Sequence, residues 1–357
     1  MSEFMPRTMG GSGDTAGDGE SRELPFEFRG DGAEYFKIWI VNILLTIVTL
    51  GVYSAWAKVR NKRYFYSNLY LDGESFRYLA DPITILKSRV IAVVVFVAFV
   101  VLSELFPVAG VVLALALMGI TPLLVVRSLN FNHRVSAYRN IQFGFGASYG
   151  EAAMALLVWP ILGVLTLGLL YPYAVRKSSE FLVRNSRYGT ADFDFEATTW
   201  DYGRIFLIFF GVLIATLITP LALTAGIPML VGDWDIGWAI GLSSMVALAG
   251  YLFAGTYLTV MLTNVYYNSA SLQAHEFAAN LEVLGYTKVL VVNAILTVVT
   301  LGLFLPFAKV RMAKYRADHA QFMAAGSLEE FAAAEREQVS ALGEELGEVF
   351  DFDVGAI

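Results

Sequence analysis

A short segment that occurs three times constrains the fold of this chain more than any other feature of its sequence. The first copy, Thr49–Arg60, reads T-L-G-V-Y-S-A-W-A-K-V-R. A second copy, Thr300–Arg311, reads T-L-G-L-F-L-P-F-A-K-V-R and lies 251 residues downstream of the first. A partial copy, Thr166–Ala174, lies 117 residues downstream of the first. Self-similarity at fixed offsets is typical of chains built from repeated units, so we expect internal repeats.

The composition indicates that these repeats belong to a membrane protein. Apolar residues make up 57% of the chain and charged residues 16%, whereas soluble domains have about 45–50% and about 25%. Two pairs of long apolar segments each predict a membrane-spanning helical hairpin. They are Val90–Phe106 with Val108–Val126, and Ile205–Ile227 with Gly237–Leu262. The sequence therefore predicts a predominantly α-helical, polytopic membrane protein.

Short alternating segments flank the first two T-L-G helices, and the 117-residue offset relates them. They are Phe26/Phe28 and Phe76/Tyr78 in the first set, and Phe143/Phe145 and Phe193/Phe195 in the second. Alternation with a period of two predicts short β-strands. We expect the two segments of each set to pair at the membrane surface, because an open sheet edge in lipid leaves backbone groups without hydrogen bonds.

The repeat pattern divides the chain into five predicted regions. They are a disordered tail (1–23), module 1 (24–126), module 2 (127–263), a partial third module (264–319), and an acidic amphipathic helix with its tail (320–357). Ser327 and Glu330 predict a capping box at the start of that last helix. We expect the helix to pack on a basic cytoplasmic face, so that removing the chain after Asp318 leaves the membrane part folded.

The number of membrane crossings depends on whether the T-L-G helices span the bilayer or re-enter it. The first, Tyr35–Trp56, has 22 residues and is long enough to span, which gives seven crossings in all. If these helices bend at Gly51, Gly168 and Gly302, four crossings remain. The cationic clusters and the C-terminus are then cytoplasmic and the acidic tip at 233–235 is external, as the positive-inside rule favours. We expect the re-entrant arrangement, with seven spans as the alternative.

Two asparagines inside apolar helices give the sharpest candidate site. Asn42 and Asn293 lie at equivalent positions seven residues before Thr49 and Thr300, which we include in a candidate polar intramembrane site. An amide in hydrocarbon needs hydrogen-bond partners and tends to face the bundle interior. One interpretation is a hydrogen bond between helices. The other is a solute site between repeats, because transporters build such sites from interrupted helices.

Cations and aromatic residues gather where the T-L-G helices end. Lys58, Arg60, Lys309 and Arg311 predict contacts with lipid headgroups, and a basic mouth for a substrate is the alternative. Five aromatic residues predict an interfacial belt. They are Trp56, Tyr64, Tyr173, Phe307 and Tyr315.

Several classes of function are not predicted. The chain has no cysteine, and its three histidines are scattered, so neither disulfides nor a metal site is expected. We find no nucleophile elbow, phosphate loop or dinucleotide fingerprint. No metal, cofactor or nucleic-acid partner is therefore predicted, and the sequence does not favour an enzyme.

The pattern N-x-x-L-T-x-x-T-L-G-x-Y-x-A-W-A-K-V-R at Asn42–Arg60 resembles the YjgN-like inner-membrane family, whose domain has no assigned function. The resemblance covers Phe26–Ile357 and includes the ending F-D-F-D at 350–353. It implies a bacterial inner membrane and brings no ligand or reaction. The middle copy departs from the pattern, with Trp159 at the Asn42 position and Val175 at the lysine position, so a shared site would be asymmetric.

Transport or permeation of a small polar or anionic solute is the leading functional prediction, because interrupted helices with internal asparagines lie beside a basic mouth. The alternative is a membrane scaffold without transport activity. Such a scaffold would bind lipid, or a protein partner through its C-terminal helix.

Overall fold

Ten short antiparallel strands close into a single barrel. The computed structural model describes residues 21–231 and 236–354, so the predicted acidic tip and most of the predicted N-terminal tail lie outside the described residues. Around the barrel the order is β1-β10-β9-β8-β7-β6-β5-β4-β3-β2, and β2 pairs again with β1. The strands are β1 Ser21–Phe28, β2 Leu69–Leu71, β3 Glu74–Tyr78, β4 Ser136–Tyr138, β5 Ile141–Phe145, β6 Ser186–Tyr188, β7 Ala191–Phe195, β8 Ala270–Leu272, β9 His275–Ala279 and β10 Ala320–Ala325. Closure removes the free edges that strands this short would otherwise expose.

Four β-hairpins with the same strand and turn lengths form most of this barrel. Each has a strand of three residues, a two-residue turn and a strand of five residues. In the first, Asp72 and Gly73 have φ of 48° and 78°, and in the second Arg139 and Asn140 have φ of 47° and 65°. Positive φ at both central positions is the geometry of a type I′ turn, whose twist matches that of paired strands.

The strand register places every helix connection at one end of the barrel, which we call the helix end. The last residue of each longer strand pairs with the first residue of the next strand along the barrel. These pairs are Phe28↔Leu69, Tyr78↔Ser136, Phe145↔Ser186, Phe195↔Ala270 and Ala279↔Ala320. The β-hairpin turns therefore lie at the opposite, turn end.

Five helical hairpins extend from the helix end with constant spacing. Three residues always separate a strand from the first helix of a hairpin, and one residue separates its second helix from the next strand. The pairs are α1 Gly32–Val48 with α2 Ser54–Ser67; α3 Pro82–Leu105 with α4 Pro107–Arg134; α5 Tyr149–Ala153, a π-helical turn Met154–Val158 and α6 Trp159–Leu165 with α7 Tyr171–Arg184; α8 Thr199–Val231 with α9 Ile236–Asn268; and α10 Val283–Val299 with α11 Leu305–Asp318. The T-L-G segments and the long apolar hairpins thus occupy equivalent places.

Each T-L-G segment reverses the chain between two antiparallel helices. Leu50 adopts φ 49° and Gly51 φ 91°, and the other two copies match within a few degrees. The Thr49 hydroxyl donates to the Leu45 carbonyl at 2.7 Å and accepts from the Tyr53 N–H at 2.9 Å, which joins the two helices across the turn. Tyr35–Trp56 is therefore not one continuous helix, because it ends at Val48 and the chain doubles back.

The long apolar hairpins contain the candidate membrane spans. Among the described residues, four helices are long and apolar enough to cross a membrane, namely α3, α4, α8 and α9. Their apolar side chains are largely exposed, as lipid-facing side chains are. Successive helix contacts run from α1 through α2 and α3 to α11, which packs back on α1, so the hairpins form a ring beneath the barrel.

Apolar side chains fill the barrel from one end to the other. One phenylalanine from each longer strand forms a layer near the middle, and Phe322 packs on it. The members of this five-phenylalanine layer are Phe26, Phe76, Phe143, Phe193 and Phe277. The C-terminal helix α12, Leu328–Val354, covers the turn end, where Leu328 and Ala332 are buried against the same core.

Three expectations from the sequence need correction. The F-x-F segments are strands, but the predicted pairings of β1 with β3 and of β5 with β7 are wrong, because β2 and β6 lie between them. The predicted boundary at 23 falls inside β1, which begins at Ser21, and the predicted C-terminal region begins with the strand β10 before its helix. Finally, α12 packs on the turn end of the barrel rather than on a basic face. The local alternation was informative, whereas strand partners depend on distant contacts.

Candidate functional site

A cavity of about 640 Å³ lies at the helix end of the barrel. Its upper wall is formed by Phe26, Phe28 and Phe277 of the barrel. Its lower wall comes from the second helices of the surrounding hairpins, including Phe65 of α2 and Ala313 of α11. The axial cavity therefore lies between the filled barrel and the ring of membrane helices, and its walls are mainly aromatic and aliphatic.

A few polar groups enter the axial cavity. Arg316 lines it, and its Nη2 donates to the Tyr286 hydroxyl at 3.2 Å. Among the described residues, no carboxylate oxygen lies within 4.0 Å of the Arg316 guanidinium. A guanidinium has five N–H donors, so most remain available to a ligand. Ser179 and Gln321 also line the wall. The cavity thus offers an apolar volume with a cationic group in its wall.

The two predicted asparagines are buried within separate helical hairpins. Asn42, with 3% of its surface exposed, donates from Nδ2 to Oδ1 of Asn61 in α2 at 3.0 Å. Asn293, 7% exposed, donates to the Ala308 carbonyl of α11 at 3.2 Å. The Oδ1 atoms of both asparagines have no hydrogen-bond partner. The structure therefore places each asparagine between the two helices of its own hairpin.

The predicted threonines belong to the hairpin turns. Thr300 repeats the bonds of Thr49, donating to the Leu296 carbonyl at 2.7 Å and accepting from the Phe304 N–H at 2.9 Å. Each threonine lies two helical turns beyond its asparagine, near the end of the hairpin farthest from the barrel. The structure does not bring the four side chains together, and the solute site assigned to them stays a prediction.

The four predicted cations lie on different faces of α2 and α11. Lys58, Arg60, Lys309 and Arg311 are all exposed. Lys58 precedes Phe65 by seven residues and Lys309 precedes Arg316 by seven, so both lysines share a helix face with residues that line the axial cavity. The two arginines lie two residues beyond these lysines and therefore on other faces of α2 and α11. Each lysine therefore adds a positive charge to a helix face that also carries a cavity-lining residue.

The five residues of the predicted aromatic belt make two kinds of contact. The Tyr64 hydroxyl donates to the Asp31 carbonyl at 2.7 Å and accepts from the Asp31 N–H at 2.8 Å, which ties the end of α2 to the start of α1. Tyr315 makes the equivalent pair of bonds to Glu282. The other three residues are partly buried and pack on rings of the helical hairpins. They are Trp56 on Tyr53, Tyr173 on Trp159, and Phe307 on Phe36 and Phe304.

Arg316 is not among the site residues predicted from the sequence, although comparison of the two full T-L-G segments points to it. The 251-residue offset aligns Arg316 with Phe65, so a cation replaces an aromatic residue at an otherwise similar position. Its importance depends on the cavity, which is formed by residues distant in the sequence. No group of three or more His, Cys, Asp or Glu side chains able to hold a metal occurs in the described part of the chain.

The fold and the cavity define a class of protein, a mostly helical membrane protein with four candidate spans, whose helices are gathered beneath a small closed barrel. Residues 23–349 match the family described as "Bacterial protein of unknown function (DUF898)", and the chain belongs to this family. The family predicted from the T-L-G pattern is thereby confirmed.

Curated relatives carry the name "Inner membrane protein YjgN". The Salmonella typhimurium protein is 24% identical over 343 residues, which cover 82% of this chain and 87% of that protein. The proteins of Escherichia coli O157:H7 and strain K12 are each 31% identical over 147 residues, covering 41% of this chain and 37% of theirs. No solved structure gives a significant match.

Proposed function

We propose that this protein binds an amphipathic molecule with an anionic group in the axial cavity. The observation that carries the proposal is the combination of aromatic walls with Arg316, which has no carboxylate partner among the described residues. The volume of about 640 Å³ lies within the range of about 300–1,000 Å³ that small-molecule sites occupy. An apolar body would contact Phe28, Phe65 and Phe277, while the anionic group would accept hydrogen bonds from the guanidinium.

The position of the cavity supports a ligand that arrives from the membrane. It lies where the helix ring meets the barrel, and its lining includes Leu262 and Tyr266 of the long apolar helix α9. Lys58 and Lys309 lie on the same helix faces as cavity-lining residues. These cations would attract an anionic headgroup from the adjacent lipid surface.

We further propose that the five helical hairpins are equivalent repeats that enter the membrane from one side. All five connect to the helix end of the barrel, and the exposed T-L-G tips carry leucines that are 95%, 95% and 93% exposed. With the cationic second helices α2 and α11 on the cytoplasmic side, the barrel and both ends of the described chain would be cytoplasmic. This arrangement corresponds to re-entrant T-L-G units and four spans.

Transport of a small polar solute stays a prediction, and the barrel axis does not favour it. The five-phenylalanine layer fills the barrel and α12 covers its turn end, so a polar solute following the axis would lose its hydration without compensating hydrogen bonds. Ligand binding, which is part of the alternative scaffold function, fits the apolar walls better.

The test compares thermal stability of the full-length protein in phosphatidylcholine nanodiscs with oleate or oleylamine at equal mole fraction. We expect oleate to raise the Tm of the wild type, because a ligand that binds only the folded state stabilises it. The Arg316→Gln variant should bind oleate about tenfold or more weakly, since a hydrogen bond to a charged group contributes about 1.5–3 kcal/mol. The variant Ala313→Phe, which fills the cavity, should lose the response.

The matched control is Arg311→Gln, which removes an exposed arginine of the same helix outside the cavity lining. It should respond to oleate as the wild type does. Equal oleate responses in the wild type, Arg316→Gln and Ala313→Phe would show that the axial cavity is not the binding site.

A further inference from the structure

A second groove, of about 500 Å³, lies on the outer rim of the barrel and shares no lining residue with the axial cavity. It is formed where the end of α2 meets β3. Two arginines, Arg63 and Arg77, line it together with the hydroxyl side chains of Ser67 and Ser75. We call it the rim groove.

Both arginines of the rim groove lack an acidic partner. The Arg63 Nη2 donates to the Ala80 carbonyl at 3.1 Å, and the Arg77 Nη1 donates to Asn140 Oδ1 at 2.6 Å. Within the described residues, no carboxylate oxygen lies within 4.0 Å of either guanidinium. Two cations therefore line one groove with most of their N–H donors available.

The equivalent place beside α7 and β7 has the opposite arrangement of charges. The helix α7 begins and ends 117 residues after α2, and β7 begins and ends 117 residues after β3. The helix α8 likewise begins 117 residues after the start of α3. At this offset, Glu180 replaces Arg63, Asp194 replaces Arg77, and Arg184 replaces Ser67. There Arg184 Nη1 lies 2.7 Å from Glu180 Oε1 and its Nε lies 2.9 Å from Asp194 Oδ1.

The comparison shows which group the rim groove lacks. Beside α7, Arg184 joins the two acids, and Glu180 also pairs with Arg176 and Lys177, so both acids have cationic partners. Beside α2, two cations flank Ser67, a neutral residue too short to join them. An anion beside Ser67 would pair with both guanidinium groups, as Arg184 pairs with both acids beside α7.

We propose that the rim groove binds a phosphate group between Arg63 and Arg77. Planar guanidinium groups bind phosphate oxygens through two parallel hydrogen bonds, and the Ser75 hydroxyl supplies a further donor. The exposed apolar side chains of Leu79 and Ile83 lie at and just after the groove, where the chain enters the spanning helix α3. A phosphorylated lipid headgroup and free phosphate share this chemistry.

The test measures the Tm of the full-length protein in two ways. In detergent, inorganic phosphate is titrated against chloride at equal ionic strength. In nanodiscs, phosphatidic acid in phosphatidylcholine is compared with phosphatidylcholine alone. We expect a Tm increase in at least one arm for the wild type. Response to phosphatidic acid alone identifies a headgroup, response to free phosphate identifies the free ion, and either supports the site.

The variant Arg63→Gln/Arg77→Gln should lose that Tm increase, with phosphate affinity reduced at least tenfold. The control Arg127→Gln/Arg134→Gln removes two exposed arginines of α4 outside the groove and should retain the response. If the groove variant and the control respond alike, or if the wild type responds in neither arm, the proposal is wrong.

A gain of stability provides an independent check. Ser67→Glu places a carboxylate between the two guanidinium groups, so it should raise the Tm without phosphate above that of Ser67→Gln. It should also abolish the phosphate response, because the site is then occupied. An unchanged phosphate response in Ser67→Glu would overturn the proposal.

Discussion

At the scale of single residues, His275 connects the barrel to the helix that covers it. Its Nδ1 accepts a hydrogen bond from the Ala325 N–H at 3.0 Å, and its ring lies 4.7 Å from that of Phe331 in α12. Only an unprotonated Nδ1 accepts a hydrogen bond. Burial lowers the pKa of His275 from its ordinary value of 6.5, because a buried imidazolium loses its hydration.

This burial predicts a loss of stability in mild acid. The pKa of His275 is lower in the folded than in the unfolded state, so the unfolded chain binds more protons below about pH 6.5. The free energy of unfolding therefore decreases as the pH is lowered, by up to about 1.4 kcal/mol per pH unit. The stabilising contribution is fully present above the unfolded pKa. We expect His275→Phe to reduce the decrease in Tm between neutral pH and pH 5.5.

The control is His319→Gln, which removes a histidine that precedes β10 and hydrogen-bonds locally to the Tyr315 carbonyl. Comparing the two variants separates loss of the His275 contact from removal of a histidine elsewhere. If His275→Phe shows the same dependence as the wild type, His275 does not contribute to it.

At the scale of elements, β10 and α12 have separate roles although they are consecutive in sequence. The strand β10 pairs with both β1 and β9 and closes the barrel. The helix α12 only covers the turn end, where the buried Glu335 accepts hydrogen bonds from the N–H and hydroxyl of Thr190, both at 2.8 Å. The predicted C-terminal region, 320–357, therefore contains both the barrel strand β10 and the helix α12 that covers the barrel.

Two truncations distinguish these roles. Ending the chain after Gly326 removes α12, and we expect a folded protein with a lower Tm. Without Leu328 and Phe331, the barrel side chains that they cover become exposed, and exposing one apolar side chain costs about 1.5–3 kcal/mol. Ending it after Asp318 also removes β10 and leaves the edges of β1 and β9 unpaired, which favours aggregation. Size-exclusion chromatography measures the outcome. Monodisperse protein after the longer truncation would contradict the closed barrel.

At the scale of the whole molecule, the arrangement of the five hairpins predicts the membrane topology. Ser67 ends α2, Ser186 begins β6 and Ser327 precedes α12, so all three lie at the barrel. If the hairpins enter the membrane together, single cysteines at these positions share one side. Because the chain has no natural cysteine, labelling reports only the introduced thiol.

We expect all three cysteines to resist a membrane-impermeant maleimide in intact cells and to react after permeabilisation. The variant Val108→Cys serves as the external control, because Val108 lies at the tip of the α3–α4 hairpin and is 79% exposed. Labelling of Ser186→Cys alone in intact cells would instead support seven spans, because the middle T-L-G unit would then cross the membrane.

The sequence alone determined the features that depend on local chemistry. Long apolar segments predicted the two spanning hairpins, period-2 alternation identified the F-x-F strands, and the Thr-Leu-Gly segment contained the residues of its own turn. Glycine tolerates the positive φ that the reversal requires, and the threonine hydroxyl reaches backbone groups four residues away on either side. These interactions span a few residues, so their pattern is visible in the chain.

Only the tertiary structure decided how these elements close into one molecule. Ser21 pairs with Ala325, and α1 packs on α11, across almost the whole length of the chain. Alternation marks a strand but does not name its partner, because that choice depends on which residues pack together after closure. Arg316 in its cavity and the pair Arg63 and Arg77 in their groove are recognisable as candidate sites only in the fold, because distant segments form the cavity and the groove around them.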